Sequence, residues 1–180
     1  MAKQFPVISD DHRAFIEGQH VFFTATAAAS GRVNARPNGR GSLRVVGPDR
    51  IVWGHVPGSG NETAGHLRLD PRMTLMWCSF DARPIILRTY GEARTIAPGD
   101  AEWDALNALF PEDLGARQVF DLAVDLVQSS CGYAVPLMDN PRERTVLRDW
   151  AAQKGPEGIR AYRAEKNRVT IDGFPTGTGE

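Results

Sequence analysis

A succession of short β-branched and aromatic runs, each closed by glycine, proline or asparagine, limits this chain's fold more than any other feature. Val21-Phe22-Phe23-Thr24-Ala25-Thr26 has the composition of a pleated, half-buried surface. Ser30-Gly31 is a turn signal, and Arg32 to Arg36 returns as a second strand, which makes a hairpin. Pro37-Asn38-Gly39 then reads as a turn or tight loop. Leu43 to Val46 and Arg50 to His55 are the third and fourth strands, on either side of Gly47-Pro48-Asp49. Arg72 to Cys78 is almost continuously apolar, the mark of a strand covered on both faces. Pro84 to Arg94 is another strand, in which Gly91 signals a bulge or a close backbone approach. Phe120, Leu122, Val124 and Leu126 alternate with Asp121, Ala123 and Asp125, a period of two that predicts a long strand to about Val135. Val119, Leu122, Ala123 and Leu126 also fit a helical period. The six or seven strands do not alternate regularly with helices. That excludes a doubly wound parallel sheet and indicates a mainly β protein, an antiparallel barrel with peripheral helices.

Helix signals fill the gaps. Asp10 or Asp11 caps a short helix to Glu17 with Phe15 and Ile16 inward. Asn61 is an N-cap and Glu62 a first-turn acid for a helix to Leu69, which Asp70-Pro71 ends. Pro98-Gly99-Asp100 opens a helix with Trp103, Leu106, Leu109 and Phe110 on one face. Asn140-Pro141 with Glu143 starts helices to Trp150 and from Pro156 to Lys166, and Gly173 to Glu180 reads as a tail. The expectation is one domain over residues 1–180, with a helical extension from about 140 to 180. That length can bury a core without a disulfide or metal staple.

A formal net charge of −1 carries no basic excess, so a nucleic-acid partner is not expected. The basic residues are rich in arginine, which suits planar anions such as phosphate. Cys78 and Cys131 form no CxxC or zinc-like cluster and sit in apolar runs, as buried, reduced thiols do. Met1 to Asp10 has no signal-peptide core, and no apolar run approaches the roughly 20 residues of a membrane helix. The expected setting is cytoplasmic, with no membrane partner. His12, His20, His55 and His66 are scattered, and no paired carboxylates, nucleophile triad or metal motif stands out. Any reactivity would then come from a cofactor.

The best candidate site is Gly58-Ser59-Gly60-Asn61-Glu62-Thr63, a glycine-rich loop opening a helix. Exposed N–H groups and the positive dipole end at such a start bind phosphate, and Ser59, Asn61 and Thr63 add short donors. The same residues also suit an ordinary loop and N-cap. No Walker lysine or strand-linked GxGxxG is present. Arg36, with Pro37, Asn38 and Gly39, follows the second strand and can pair with a phosphate or a flavin carbonyl. Trp53, Gly54 and His55 end the fourth strand, where a glycine and two rings can flank a flat ligand. Arg88, among Ile86, Leu87 and Tyr90, needs a partner, either across a dimer interface or in a ligand.

These runs resemble the pyridoxamine 5′-phosphate oxidase-like proteins of the FMN-binding split-barrel superfamily. The residues that carry the likeness are Phe22 to Thr26, Val33 to Gly39, Gly58 to Leu67, Pro71 to Met76, Ile86 to Gly91 and Ser130 to Pro136, spread over about residues 12 to 140. The resemblance implies a six-stranded split barrel and a homodimer with FMN at the interface. It places the phosphate near Arg36, Asn38, Gly39, Asn61, Glu62 and Thr63, and the flavin ring along Trp53-Gly54-His55. The partner chain would contribute from around Trp77 and Ile86 to Arg88. The implied activity is a flavin-dependent oxidoreductase of unknown substrate, with NAD(P)H or another small-molecule redox partner. A non-catalytic flavin or haem carrier or sensor of the same fold, and a deazaflavin, are the alternatives. The oxidases carry Ser-Arg-Lys where this chain reads Asn61-Glu62-Thr63, and relatives often have Ser-Pro-Lys-Gly at Arg36-Pro37-Asn38-Gly39. The second departure moves the lysine charge to Arg36 or Arg40. The basic C-terminal end that the oxidases use for their pyridoxal substrate is not recognisable in Thr170 to Glu180, and together these departures argue against vitamin B6 oxidation itself.

Overall fold

The runs with strand composition do form strands. The computed structural model describes residues 2–55, 58–111 and 116–178. Its elements are β1 (Lys3–Phe5), α1 (Asp10–Gly18), β2 (Val21–Thr26), β3 (Asn34–Gly39), β4 (Leu43–Gly47), β5 (Arg50–His55), α2 (Glu62–Leu67), β6 (Arg72–Cys78), β7 (Ile85–Ile96), α3 (Trp103–Asn107), β8 (Gln118–Cys131) and α4 (Val146–Lys166). The sheet order is β3-β2-β6-β7-β8-β5-β4, all antiparallel, and β1 adds to β8. Among the described residues seven strands share this path, one more than the six expected. Strand β8 makes room for them. It pairs with β7 along its length, with β5 through Gln118 to Ala123 and with β1 through Val127 to Ser129.

The sheet curls into a split barrel because successive strands point one row of side chains inward. Phe22, Thr24 and Thr26 of β2 are buried, as are Met73, Leu75 and Trp77 of β6, Ile51 and Trp53 of β5, and Phe120, Leu122 and Val124 of β8. Trp53 lies 4.5 Å from Phe120 and edge-on to Phe22 at 5.9 Å, so three rings fill the middle of the core. The period-two reading of β8 holds over the helical one, but the strand ends at Cys131 rather than near Val135, because the chain turns at Gly132. At Gly91 the register jumps from Tyr90 opposite Leu126 to Gly91 opposite Val124, and a side chain there would collide with the Ala123 carbonyl. The glycine therefore marks a true bulge.

Four local expectations need correction. Pro37-Asn38-Gly39 is not a turn. It is the end of β3, with Pro37 opposite Phe23, and an edge strand tolerates proline's missing N–H. Ser9, not an aspartate, caps α1: its Oγ accepts the His12 N–H and His12 Nδ1 accepts the Ser9 N–H, both at 3.2 Å. Helix α3 is shorter than the apolar face suggested, with Leu106 buried and Leu109 facing out. Residues 141–145 are not helical, and α4 joins the two predicted helices across Gly155, whose φ of +66° only glycine adopts readily. Trp150 and Tyr162 meet edge to face at 4.9 Å across that break.

The end of the chain is not a loose tail. Residues 167–178 form a narrow hairpin, closed by a Val169–Pro175 bridge and by the Thr170 N–H donating to the Phe174 carbonyl at 2.9 Å. This strap lies across α2 and the β2–β3 loop. The Asp172 carboxylate accepts the Arg32 backbone N–H at 2.7 Å and pairs with its guanidinium. Among the described residues no helix is long and apolar enough to cross a membrane.

Candidate functional site

The glycine-rich loop opens α2 as expected, and Ser59 is exposed, yet the Asn61 and Thr63 side chains are spent inside the protein. Asn61 makes no capping bond, and its Nδ2 donates to Gln118 Oε1 at 3.2 Å and Thr178 Oγ1 at 2.7 Å. Thr63 Oγ1 accepts from Asn34 Nδ2 at 3.1 Å, in a buried group that continues through Thr26 Oγ1 to His66 Nδ1. Asn61, Thr63 and His66 are each 1% exposed. The two Glu62 carboxylate oxygens accept the strap's Ile171 N–H at 3.1 and 3.2 Å. The acid that stands where the resemblance implies a cation therefore has a different duty: it anchors the strap.

Positive charge gathers beside the loop. Arg36 projects from β3 on the same face as Asn38, whose Nδ2 donates to buried Thr24 Oγ1 at 3.0 Å. Arg117, immediately before β8, is 3% exposed, and its Nη2 donates to the Gly60 carbonyl at 3.2 Å. Arg163, in the last turn of α4, donates from Nη2 to the Ala116 carbonyl at 2.8 Å. Burial pushes Arg117 down to about 9, and the charges of Arg36 and Arg163 push in the same direction, so the three guanidiniums share one neighbourhood. Burial also lowers Arg36. Arg117 stays protonated at neutral pH. Neither Arg117 nor Arg163 stood out in the sequence, because a strand-start arginine and a helix-end arginine are ordinary surface residues until the fold buries them. The only signal was the general arginine richness.

The remaining predicted residues are dispersed. Trp53 is a core residue with no exposed surface, so its ring packs on Phe22 and Phe120 and presents no face to a flat ligand. The open side of Gly54 is taken by the Phe110 ring, 3.2 Å from where a side chain would begin. The His55 backbone pairs with Gln118, and its side chain lies outside the described residues, as do Val56 and Pro57. The Arg40 side chain is likewise outside them. Pro37 and Gly39 face outward on β3, and a side chain at Gly39 would meet the Glu143 carboxylate at 3.4 Å. Arg88 is half-buried on the outer face of β7, in the cross-strand row Phe23–Met76–Arg88–Gln128, with Ser130 Oγ at 3.4 Å. The row beside it is Ala25–Thr74–Tyr90–Leu126.

Comparison with known proteins agrees with this architecture. The pyridoxamine 5′-phosphate oxidase family model matches residues 8–131. The pyridoxamine 5′-phosphate oxidase family protein ustO of Aspergillus flavus is 37% identical over 137 residues, 73% of this chain and 55% of that protein. The chain thus spans about half the length of this curated relative. Among solved structures, a variant of HupZ from Group A Streptococcus superposes with a TM-score of 0.56 at 17% identity, over 68% of this chain and 99% of that one. HutZ, the haem storage protein of Vibrio cholerae, superposes with a TM-score of 0.51 at 16% identity, over 70% and 97% of the two chains. At those identities the two structures show the fold alone. The family match runs from α1 to the end of β8 and takes in all seven strands from β2 to β8. On that ground, this chain belongs to the pyridoxamine 5′-phosphate oxidase family.

Proposed function

We propose that this chain binds FMN as a homodimer and serves a flavin-dependent oxidation or reduction of a small molecule. The observation that carries the reading is the convergence of Arg36, Arg117 and Arg163 at the edge of the glycine-rich loop. A guanidinium fork matches phosphate oxygens, and a charge-assisted bond to phosphate is about twice as strong as a neutral one. The donor set therefore fits the phosphate of FMN. It moves the anion from α2's own side chains to the arginines around them.

When bound, the flavin supplies the redox chemistry. The chain's part is to fix the phosphate through the three arginines and to hold the glycine-rich loop beside which they gather. It does the second through Gln118, whose Nε2 donates to Asn61 Oδ1 at 2.6 Å. The half-buried outer face formed by Phe23, Met76, Ile86, Tyr90 and Leu126 around Arg88 supports pairing with a second copy. Cys78 is buried as expected, but Cys131 is exposed because it stands at the very end of β8; both are free thiols, which favours a reducing, cytoplasmic setting. NAD(P)H or another small redox molecule is the proposed co-substrate.

The test is titration of the full chain with FMN, followed by absorbance and isothermal calorimetry. Binding is expected, and Arg36→Ala should weaken it by about 1.5–3 kcal/mol, roughly 10- to 150-fold, as loss of a bond to a charged group does. Failure of the wild-type chain to take up FMN refutes the reading. Reduction of the bound flavin by NADH or NADPH separates an enzyme from a carrier or sensor, and a Soret band on adding haem would select the haem alternative.

A further inference from the structure

We infer that the C-terminal strap, residues 167–178, and the arginine cluster form one coupled unit, so that phosphate binding tightens the strap and strap docking tightens phosphate. The inference rests on the phosphate reading above and extends it to control of the same site. Its basis is continuity of the chain. The last turn of α4 supplies Arg163 to the cluster, and four residues later Asn167, fully buried, donates from Nδ2 to the Gly58 carbonyl at 3.0 Å. Arg117 holds the Gly60 carbonyl of the same loop. Three carbonyls, those of Gly58, Gly60 and Ala116, are thus gripped from two elements that meet only when the end of α4 is docked.

The strap holds that end in place through contacts farther along. Glu62 accepts the Ile171 N–H, Asn61 donates to Thr178, and Asp172 takes both the backbone N–H and the guanidinium of Arg32. Phe174 rests edge-on to buried His66 at 6.4 Å. Gly65 of α2 leaves the space that Thr170 occupies. An acid at Glu62 therefore makes sense as a latch. It forgoes a direct cation for the phosphate and secures the segment that delivers Arg163.

A ligand shifts a docking equilibrium only through groups it meets in one state and not in the other. Arg163 is such a group here, because freeing the strap frees the end of α4. The coupling must be reciprocal, and energetic couplings between sites of this kind run from about 5- to 150-fold.

Hydrogen–deuterium exchange on the full chain, with and without FMN and separately with inorganic phosphate, tests the inference. Exchange in residues 167–178 is expected to slow at least about 5-fold with either ligand. In parallel, Glu62→Gln and Asp172→Asn, which loosen the strap without touching an arginine of the cluster, should each weaken FMN binding by a similar factor. A melting curve for each variant verifies that the barrel is intact. FMN binding with unchanged strap exchange overturns the coupling and leaves the flavin reading standing. Strap protection by inorganic phosphate without FMN binding supports the coupling and overturns the flavin reading. Binding of neither ligand overturns both.

Discussion

Replacing Gly65 with alanine sets two terms of opposite sign against each other. Within α2 alone the change is favourable by about 1 kcal/mol, because alanine loses less backbone freedom in a helix than glycine. Against that, the added methyl would overlap Thr170 Cγ2, with the Phe174 and Pro175 carbonyls 3.6 and 3.7 Å away behind it. Thr170 has little room to turn. It is 4% exposed, and its Oγ1 accepts the Phe174 N–H at 3.0 Å. Overpacking costs about 1–3 kcal/mol, and losing that bond adds roughly 0.5–1.5 kcal/mol. The net expectation is a destabilisation of about 0.5–3.5 kcal/mol, taken up first by undocking of the strap. Thr170→Ser removes the offending methyl and keeps the hydroxyl, so the double variant should recover most of the loss. Urea denaturation of the four proteins measures the cycle, with a favourable coupling of about 1–3 kcal/mol expected. Trypsin cleavage after Arg168 reports strap release. If Gly65→Ala raises stability by about the full helix-propensity gain with no added cleavage, the strap does not sit on α2.

Two further outcomes follow from the structure. Trp53→Ala should cost about 3–5 kcal/mol of stability, the usual loss for a buried large aromatic, while FMN affinity of the folded fraction stays unchanged. A large affinity loss with little change in the denaturation midpoint would mean that Trp53 faces the flavin after all. Asp172 is held below the ordinary carboxylate value chiefly by the Arg32 backbone N–H, with the Arg32 guanidinium adding to it against partial burial. A depressed acid contributes its stability above its unfolded pKa and loses it as pH falls through the lower folded value. Hydrogen–deuterium exchange in residues 167–178, corrected for the intrinsic pH dependence of exchange, should therefore stay slow at pH 5 to 7 and accelerate below about pH 4, near the free aspartate value. Asp172→Asn should flatten that profile. An unchanged pH dependence in the variant would place the acid-labile contact elsewhere.

Strand identity was legible in the sequence where a local pattern has one physical solution. The β-branched run of β2, the apolar run of β6 and the period-two alternation of β8 each appear as read, and Gly91 marks the bulge. Those residues choose strand because their side chains fit a pleated surface with one or both faces covered. The curled antiparallel sheet and the family follow from the order of those runs. Pro37 was misread because a proline signals a turn locally, and only its place on an edge strand lets it pair with Phe23.

The site divides in the same way. A glycine-rich loop ahead of a short helix, and Arg36 after a strand, are visible as residue types in a row. Which of them faces a ligand is decided by what packs from a distance. Gln118 and Thr178, 57 and 117 residues from Asn61, take up its amide. Ile171, 109 residues from Glu62, takes up its carboxylate. Arg117 and Arg163 join Arg36 only because β8 and the end of α4 converge on the loop. Local composition determined the strands, the loop and the supply of arginine. Long-range burial alone decided which polar groups are spent inside the protein and which positive charges stand together.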